Sequence, residues 1–536
     1  MAILSGARTS GDSAERAAAK GMVLSASEET YQRARTRVGK VPISTKAFQA
    51  VRAATDSIKG FAFGTFLLLY YNQILGVSAS KASAAIAVGL IIDAAFDPLI
   101  GSFSDGLKTR LGRRHLLMYL SAAPIGLGLY LSFSPPHGLS ENLLLAWLFG
   151  SVVLTNISMS LFVVPWTALY AEFSDDYSER TTIVTWRYAV GTILAVSFTL
   201  AAYSFIFPAT KAYHFGQLNP HAYTIFAPVV ALATVATILV TTGLTQRDIP
   251  YLLQPVNKTP PFSLLRVWLD IASTFTNRNF LVLFAGALIF AGIDGTTGTL
   301  SIYMSTYFWG LSTEQLRLFT LSAVGAFAGF ASLGLIGRFF DKKFVLLVSF
   351  AALCIDGMGV IGLRLLHLLP PNGSPVLLAI LVANETLRSF LGVLLGIMFV
   401  SMLADTIDVQ ELNTGRRQEG IFSAALAFSG KATAGVGAII AGFMLDYMVH
   451  WPLHADPRTI DAAIVTRLGL VAGVIVPLLL VIPFTLGTRY SITRAAHARI
   501  RKELDRRRAG AHQKPLDEVP LDLIASMQPP AAETIG

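Results

Sequence analysis

Residues 93–105 read Asp93-Ala-Ala-Phe-Asp97-Pro-Leu-Ile-Gly101-Ser-Phe-Ser-Asp105, which places two carboxylates inside an otherwise apolar run. Asp93 and Asp97 are four residues apart, so in a helix they lie on one face. A carboxylate in hydrocarbon is costly and usually pairs with a cation or lines a pathway. The pair therefore predicts an ion or proton site; the alternative is a buried polar patch that only holds helices together.

The composition of the chain is typical of a membrane protein. Of its 536 residues, 53% are hydrophobic and 14% are charged, whereas a soluble domain carries about 25% charged residues. The net charge is +9, which we attribute to basic loops at one membrane face and not to nucleic-acid binding. The single cysteine, Cys354, excludes a disulfide within the chain and indicates no metal cluster. We expect a lipid bilayer, and no nucleic acid, among the partners.

Long apolar segments predict twelve membrane spans. They cover residues 57–76, 82–103, 115–134, 142–168, 184–207, 222–243, 280–308, 316–337, 344–369, 375–403, 419–447 and 464–488. Lys and Arg are concentrated in alternate loops and in both tails, which predicts that both termini are cytoplasmic. We therefore expect an all-α protein of the plasma membrane (the inner membrane in a bacterium), with cytoplasmic tails over 1–56 and 489–536.

Two short patterns recur six spans apart. They are Gly-x-x-x-Asp at 101–105 and 337–341, and Ala-acid-x-x-Asp at 171–175 and 404–408. The recurrence predicts two six-helix halves, 57–243 and 280–488, joined by a proline-rich cytoplasmic loop over 244–279. Parallel halves with a substrate site between them describe the major facilitator fold, which works by alternating access.

The sequence around these patterns resembles the glycoside–pentoside–hexuronide (GPH) cation symporters, a melibiose-permease-like family of the major facilitator superfamily (MFS). The similar blocks are 93–114, 165–187 and 402–431, in the family's order and in both halves. The resemblance covers about residues 50–490. It implies cation-coupled symport of a small-molecule, sugar-like solute: a glycoside, pentoside or hexuronide. We expect no cofactor beyond a coupling ion, H⁺ or Na⁺, and a functional monomer.

The resemblance also implies a cation site. The family uses the two carboxylates of the second span, which correspond to Asp93 and Asp97 here. It further implies a hydroxyl ligand at Ser160 and a charge partner at Lys431. At 1.5 Å per residue, Asp97 lies about 12 Å and Asp93 about 18 Å from a membrane edge at Asp105, near the midplane.

The candidates for the substrate site are Asp56, Trp166, Arg187, Asp294, Glu385 and Arg388. Asp294 lies in a glycine-rich stretch that predicts a broken helix at a binding site; the alternative is a carboxylate paired with a neighbouring span. Glu385 and Arg388 are three residues apart, so we favour a pair within the helix over contact with an acidic substrate such as a uronide.

Three positions depart from the pattern of the melibiose permease. Phe96 replaces a polar residue between the two acids, which favours a proton over sodium. The permease's substrate-binding carboxylates in spans one and four correspond to Ser57 and Val163, although Asp56 is adjacent to the first. A close galactoside is therefore not the expected substrate.

Charged residues at the predicted cytoplasmic helix ends form a further group. They are Asp105, Arg113, Arg114, Glu172, Asp341, Asp405 and Arg417. We interpret them as latches between helices that hold the cytoplasmic face closed in the outward-open state. This role is conformational and implies no contact with substrate.

Three alternative functions are compatible with parts of the sequence. A symporter of a non-sugar solute is one, because related symporters of the superfamily carry lysophospholipids. A solute sensor that no longer transports is another, although the retained carboxylates argue against it. An enzyme is not expected, since the sequence has no His-Glu-x-x-His, Gly-x-Ser-x-Gly or phosphate-loop motif.

Overall fold

The computed structural model describes residues 31–32, 40–107, 109, 111–174, 177–252, 254–255, 278–414 and 435–510. Within these ranges the chain is helical, apart from one antiparallel pair of two-residue strands, β1 Tyr31–Gln32 and β2 Gln254–Pro255. Ten of the described helices are long and apolar enough to cross a bilayer. The prediction of an all-α integral membrane protein is confirmed.

The helices follow the predicted spans in order. α1 covers Ile43–Val51 and Ala53–Phe61 and continues through π-helical turns to Ile74. The other helices of the first six are α2 Ala79–Gly106, α3 Gly112–Ser132, α4 Glu141–Glu172, α5 Tyr177–Ala201 and α6 Pro220–Thr245. The next six are α7 Arg278–Tyr303, α8 Thr313–Phe339, α9 Lys342–Leu365, α10 Pro375–Thr414, α11 Gly435–Val449 and α12 Ala462–Thr488. A further helix, α13, covers Arg494–Gly510.

We call α1–α6 the first half and α7–α12 the second half. The end of the bundle at which α2, α4, α8 and α10 finish carries most of the loop lysines and arginines, and we call it the basic end. The other end is the opposite end. Large apolar side chains such as Phe205, Leu232 and Ile355 are exposed along the helices, as expected where a bilayer covers them.

The first helix begins earlier than predicted. The apolar run starts at 57, but α1 starts at Ile43 because polar side chains of its first turns are buried against α5 and α6. Lys46 Nζ lies 2.8 Å from Glu179 Oε2, and Thr45 donates to Asp248 Oδ2 at 3.0 Å. The hydrogen bond from Lys46 holds the pKa of the Glu179 carboxyl below its ordinary range. Residues 43–56, predicted as tail, are therefore a packed part of the bundle.

Several helices finish at the opposite end in the same way. α1, α5, α7 and α11 close with π-helical turns, at Tyr70–Ile74, Ala202–Ile206, Met304–Phe308 and Met444–Val449. After α1 and α7, a glycine in the left-handed region (Gly76 and Gly310) turns the chain away. A side chain there would strain the backbone, so glycine is the residue that this turn requires.

Close packing of α8 on α10 depends on Gly325. A Cβ at this position would collide with the carbonyl oxygen of Thr386. We expect Gly325→Ala to destabilise the fold by about 1–3 kcal/mol, the usual cost of overpacking a tight contact. The matched control is Gly334→Ala on the same helix, where a Cβ would have no neighbour within 4 Å. Thermal unfolding of the purified variants measures this; equal midpoints for the two variants would contradict the assignment.

Candidate functional site

The two carboxylates of α2 meet one hydroxyl of α4. Ser160 Oγ lies 2.5 Å from Asp93 Oδ1 and 2.5 Å from Asp97 Oδ1. Asp93 and Ser160 are buried, at 4% and 1% exposure, whereas Asp97 is half-buried. The three side chains that the sequence nominated as cation ligands are therefore brought together.

The approach of α2 to α4 explains this geometry. A Cβ at Gly89 would lie 2.6 Å from Val152 Cγ1, so the glycine favours this close approach of the two helices. Asp93 follows Gly89 by one helical turn, and the parallel course of α4 puts Ser160 at the level of Asp93 and Asp97. Gly89 therefore helps α4 to bring Ser160 next to the two acids of α2.

The arrangement constrains what can occupy the site. A serine hydroxyl has one proton and can donate to one of the two carboxylates at a time. A proton or a cation bound between the acids would offset their mutual repulsion.

A second group lies in the first half, nearer the basic end. Arg52 Nη2 donates to Asp56 Oδ1 at 3.0 Å. The guanidinium carbons of Arg52 and Arg187 lie 4.3 Å and 4.9 Å from the centre of the Trp166 ring. The structure thus joins the predicted Asp56, Trp166 and Arg187. Hydropathy missed Arg52 because its turn precedes the apolar run; its i,i+4 spacing from Asp56 was the available signal.

A third group lies in the second half. Asp294, Glu385 and Arg388 line one cavity of about 300 Å³, together with Asp356 and Asn384. The predicted pair of Glu385 and Arg388 is loose, with 3.9 Å between Oε2 and Nε. Asp356 accepts from Asn384 Nδ2 at 2.5 Å. The cavity therefore holds three carboxylates and one guanidinium.

The helix around Asp294 is not broken. α7 is continuous from Arg278 to Tyr303, and Thr296 Oγ1 donates to the carbonyl of Gly292 at 2.8 Å within it. A Cβ at Gly437 of α11 would lie 2.6 Å from that same carbonyl oxygen. The glycine-rich stretch therefore serves close packing of α7 and α11, and the prediction of a discontinuous helix is wrong.

A further cavity lies between the halves. It has a volume of about 370 Å³, and both halves contribute hydroxyl groups to its wall. The first half provides Thr65, Thr199 and Tyr203, and the second half provides Ser301, Ser305, Thr320, Ser322 and Ser389, with Glu385 beside them. These groups can hydrogen-bond a polar solute, while apolar side chains such as Ile302, Leu316 and Phe319 form the rest of the wall.

The gate candidates with described side chains bind within their own half. Arg114 donates to Glu172 Oε1 from Nη2 at 2.6 Å, which joins α3 to α4. Lys342 Nζ lies 2.7 Å from Asp405 Oδ2, which joins α9 to α10. Asp341 caps α9 by accepting from the Lys343 backbone N–H.

Four nominated residues cannot be placed in this network. Lys431 and Arg417 lie outside the described residues. Asp105 and Arg113 have described backbone in α2 and α3, but their side chains lie outside the description. The role of Lys431 as a charge partner therefore stays a prediction. The same holds for the roles of Asp105, Arg113 and Arg417 as latches.

Hydrogen bonds between the halves cluster at the opposite end. Asp446 of α11 caps the start of α2, accepting from Ser78 Oγ at 2.6 Å and from the Ser80 N–H at 2.8 Å. Tyr307 of α7 donates to Gln73 Oε1 of α1 at 3.1 Å. We call this network the seal. Local sequence patterns do not identify the seal, because its partners lie more than two hundred positions apart.

Comparison with known proteins agrees with this architecture. The family described as MFS/sugar transport protein matches residues 48–494. The putative glycoside/cation symporter YagG of Escherichia coli (strain K12) is 23% identical, covering 85% of this chain and 94% of the relative. Sodium-dependent lysophosphatidylcholine symporter 1 of Mus musculus is 29% identical over 35% of this chain and 38% of its own. The solved nucleoside transporter NupG shares the fold, with a TM-score of 0.54, 13% identity and coverage of 83% and 98%.

Proposed function

Because the chain belongs to the MFS/sugar transport family, we propose that it is a cation-coupled symporter of a sugar-like solute that works by alternating access. The resemblance to the GPH symporters is confirmed at the level of the family. One of the relatives, YagG, is named as a putative glycoside/cation symporter. The substrate class and the coupling ion are our proposal.

The observation that carries the proposal is the group Asp93–Ser160–Asp97. Two acids that share one hydroxyl at 2.5 Å form a site whose charge must change when a proton or cation binds. The site lies inside α2, where an acid is functional by default. The apolar Phe96, which offers no oxygen ligand between the two acids, favours a proton as the coupling ion.

The cavity between the halves supports a polyhydroxyl substrate. Its hydroxyl-rich wall suits a glycoside, pentoside or hexuronide, and Glu385 can accept from a sugar hydroxyl. We propose the membrane orientation with the basic end in the cytoplasm, from the positive-inside rule. The seal then closes the outer face, and each half acts as a rocking body.

Uptake into proteoliposomes tests the proposal. A panel of radiolabelled glycosides, pentoses and uronides is offered under a proton gradient alone and a sodium gradient alone. We expect accumulation of at least one solute under the proton gradient and its loss when an ionophore collapses that gradient. Uptake that never exceeds equilibration under either gradient would remove the coupling proposal.

A lysolipid is the second candidate substrate. The similarity to a lysophosphatidylcholine symporter over part of the chain favours it. Transport of lysophosphatidylcholine and dependence on sodium are properties of that relative. The same panel therefore includes this lipid under both gradients. Accumulation of the lipid and of no sugar would replace the sugar proposal and leave symport in place.

A further inference from the structure

A cavity of about 330 Å³ lies at the basic end of the second half. Its wall comes from the ends of α8, α9 and α10 that meet there, and the start of α13 contributes Arg494 and His497. The described residues that line it all belong to the second half or to the segment that continues into α13. The cavity therefore lies apart from the one between the halves, and the proposed transport path does not use it.

This cavity changes from apolar to charged along the helix axes. On α8 its lining runs from Leu333 to Phe340, which is about 10 Å, and on α10 it runs from Ile397 to Asp405, which is about 12 Å. The deep part is apolar, with Leu333, Ile336, Ile397 and Met398. The mouth is charged, with Asp341, Lys342, Asp405 and Arg494. A cavity of this kind fits an amphipathic molecule that lies along the helices.

Apolar side chains at the mouth indicate that the cavity borders the bilayer. Phe340 lines the cavity and is 48% exposed, and its ring stacks on that of Phe344, which is 51% exposed, with 5.3 Å between the ring centres. α8 and α9, which flank these rings, are both long and apolar enough to cross a membrane. Exposed rings at the end of a membrane helix are covered by lipid. We therefore place the mouth beside the lipid headgroups.

The carboxylates at the mouth already have partners. Asp341 accepts from the backbone N–H groups of Lys343 and Arg494, each at 3.0 Å. Asp405 Oδ2 accepts from Lys342 Nζ at 2.7 Å. These bonds fix the two acids to α9 and α13 and leave them less able to neutralise a further cation.

The arginines at the mouth are left with positive charge. Arg494 is exposed, and its guanidinium makes one long bond of 3.4 Å, from Nη1 to the carbonyl of Arg338. Arg338, in the last turn of α8, is also exposed. Neither guanidinium has a carboxylate partner in the part of the chain that the structure describes. The mouth can therefore accept an anion.

The two ends of the cavity together select the class of ligand. A guanidinium binds a phosphate through paired, charge-assisted hydrogen bonds. Basic residues next to a membrane helix attract anionic lipids. A soluble phosphate compound would use the arginines and leave the apolar part empty, whereas a lipid fills both, with one acyl chain beside α8 and α10.

We propose that this cavity is a binding site for one anionic phospholipid, with the phosphate at Arg494 and one acyl chain against Leu333 and Ile397. The lipid is a bound component of the bundle and not the transported solute. Because Arg494 is the first residue of α13, the bound lipid also ties α13 to α8. The proposal depends on neither the solute nor the coupling ion, and the site shares no lining residue with the cavity between the halves.

Native mass spectrometry of the full-length, delipidated protein tests the site. The probes are dioleoylphosphatidylglycerol, dioleoylphosphatidylcholine, dioleoylglycerol and glycerol 3-phosphate. We expect phosphatidylglycerol to bind about tenfold more tightly than phosphatidylcholine, whose choline brings a positive charge to the arginines. The fragments that lack either the headgroup phosphate or the chains should bind more weakly still. Equal binding of the two phospholipids, or glycerol 3-phosphate binding as tightly as phosphatidylglycerol, would overturn the proposal.

Charge variants distinguish a site from general attraction to a basic surface. Arg494→Gln should remove most of the preference for phosphatidylglycerol and Arg494→Lys should keep part of it; both leave the backbone bond to Asp341 in place. The matched control is Arg499→Gln, an exposed cation of the same helix that does not line the cavity. An equal loss of preference in the control would show diffuse attraction and remove the site.

A second pair of variants fills the cavity without changing charge. Gly337 lines the cavity, and a Cβ there would have no neighbour within 4 Å, so Gly337→Leu should occupy the space of the acyl chain. Gly334→Leu is the control, because its Cβ is equally free but the residue lies outside the lining. We expect at least about a tenfold loss of phosphatidylglycerol binding for Gly337→Leu alone. Unchanged binding would place the lipid elsewhere, and if the thermal midpoint falls in this variant, Arg494→Gln decides.

Discussion

Replacing Asp97 by Asn should abolish gradient-driven accumulation and reduce uptake to simple equilibration, because one of the two acids that take up the coupling ion loses its charge. The amide cannot take up a proton, and it offers a cation one oxygen without charge. Ser160 would keep its bond to Asp93, so the helices stay in contact. The chemistry of the site changes while its packing is preserved.

Proteoliposomes loaded with substrate provide the measurement for Asp97. Exchange without a gradient is expected to survive, because the rocking of the halves does not need a net change of charge. Ser160→Ala should have a smaller effect, since both acids remain. Glu314→Gln, an exposed acid at the opposite end, is the control. Full accumulation by the Asp97 variant would show that coupling resides elsewhere.

Replacing Asp446 by Asn should open the seal. Asp446 accepts from Ser78 Oγ, from the Ser80 N–H and from the Ala79 N–H at 3.2 Å, so it caps a helix of the other half. A charged cap at a helix N-terminus is worth about 1–2 kcal/mol. At 1.4 kcal/mol per tenfold change, the population open at this end should rise about five- to thirtyfold.

Cysteine accessibility measures that shift. Ser83 lies one turn into α2 and is fully buried beneath the seal, so a Ser83→Cys reporter with Cys354→Ser as background should react slowly with an impermeant maleimide. Asp446→Asn should accelerate the reaction. Asp461→Asn is the matched control. Asp461 caps α12 by accepting from the Ala463 N–H, and this contact lies within one half. If both variants label alike, the seal does not set the conformational balance.

The fold could be predicted because a bilayer requires long apolar segments and an uneven distribution of lysine and arginine between its two faces. The apolar run 82–103 corresponds to α2, Ala79–Gly106. The transfer of apolar side chains from water into the bilayer decides where such a helix begins and ends. The start of α1 could not be predicted in this way. Lys46 is buried through a partner on α5, and no local pattern identifies that partner.

The same distinction applies to the candidate site: residue type and order identify some of its residues, whereas others depend on partners that are distant in the sequence. The acids of α2 and the hydroxyl of Ser160 are recognisable from residue type and order, and the structure brings them together. The glycines around Asp294 were ambiguous, since glycine serves both broken helices and close packing, and only the position of Gly437 decides between them. Asp446 could not be recognised from local sequence, because its partner Ser78 lies 368 positions away.

The wide turns at the ends of α1, α5, α7 and α11 carry a consequence for the motion of the molecule. These helices occupy the first and fifth places of their halves, so the wide turns pair off as α1 with α7 and α5 with α11. Each such turn contains one residue more than an α-helical turn would. A rim built from loosely wound segments of both halves can deform on both sides when the seal opens.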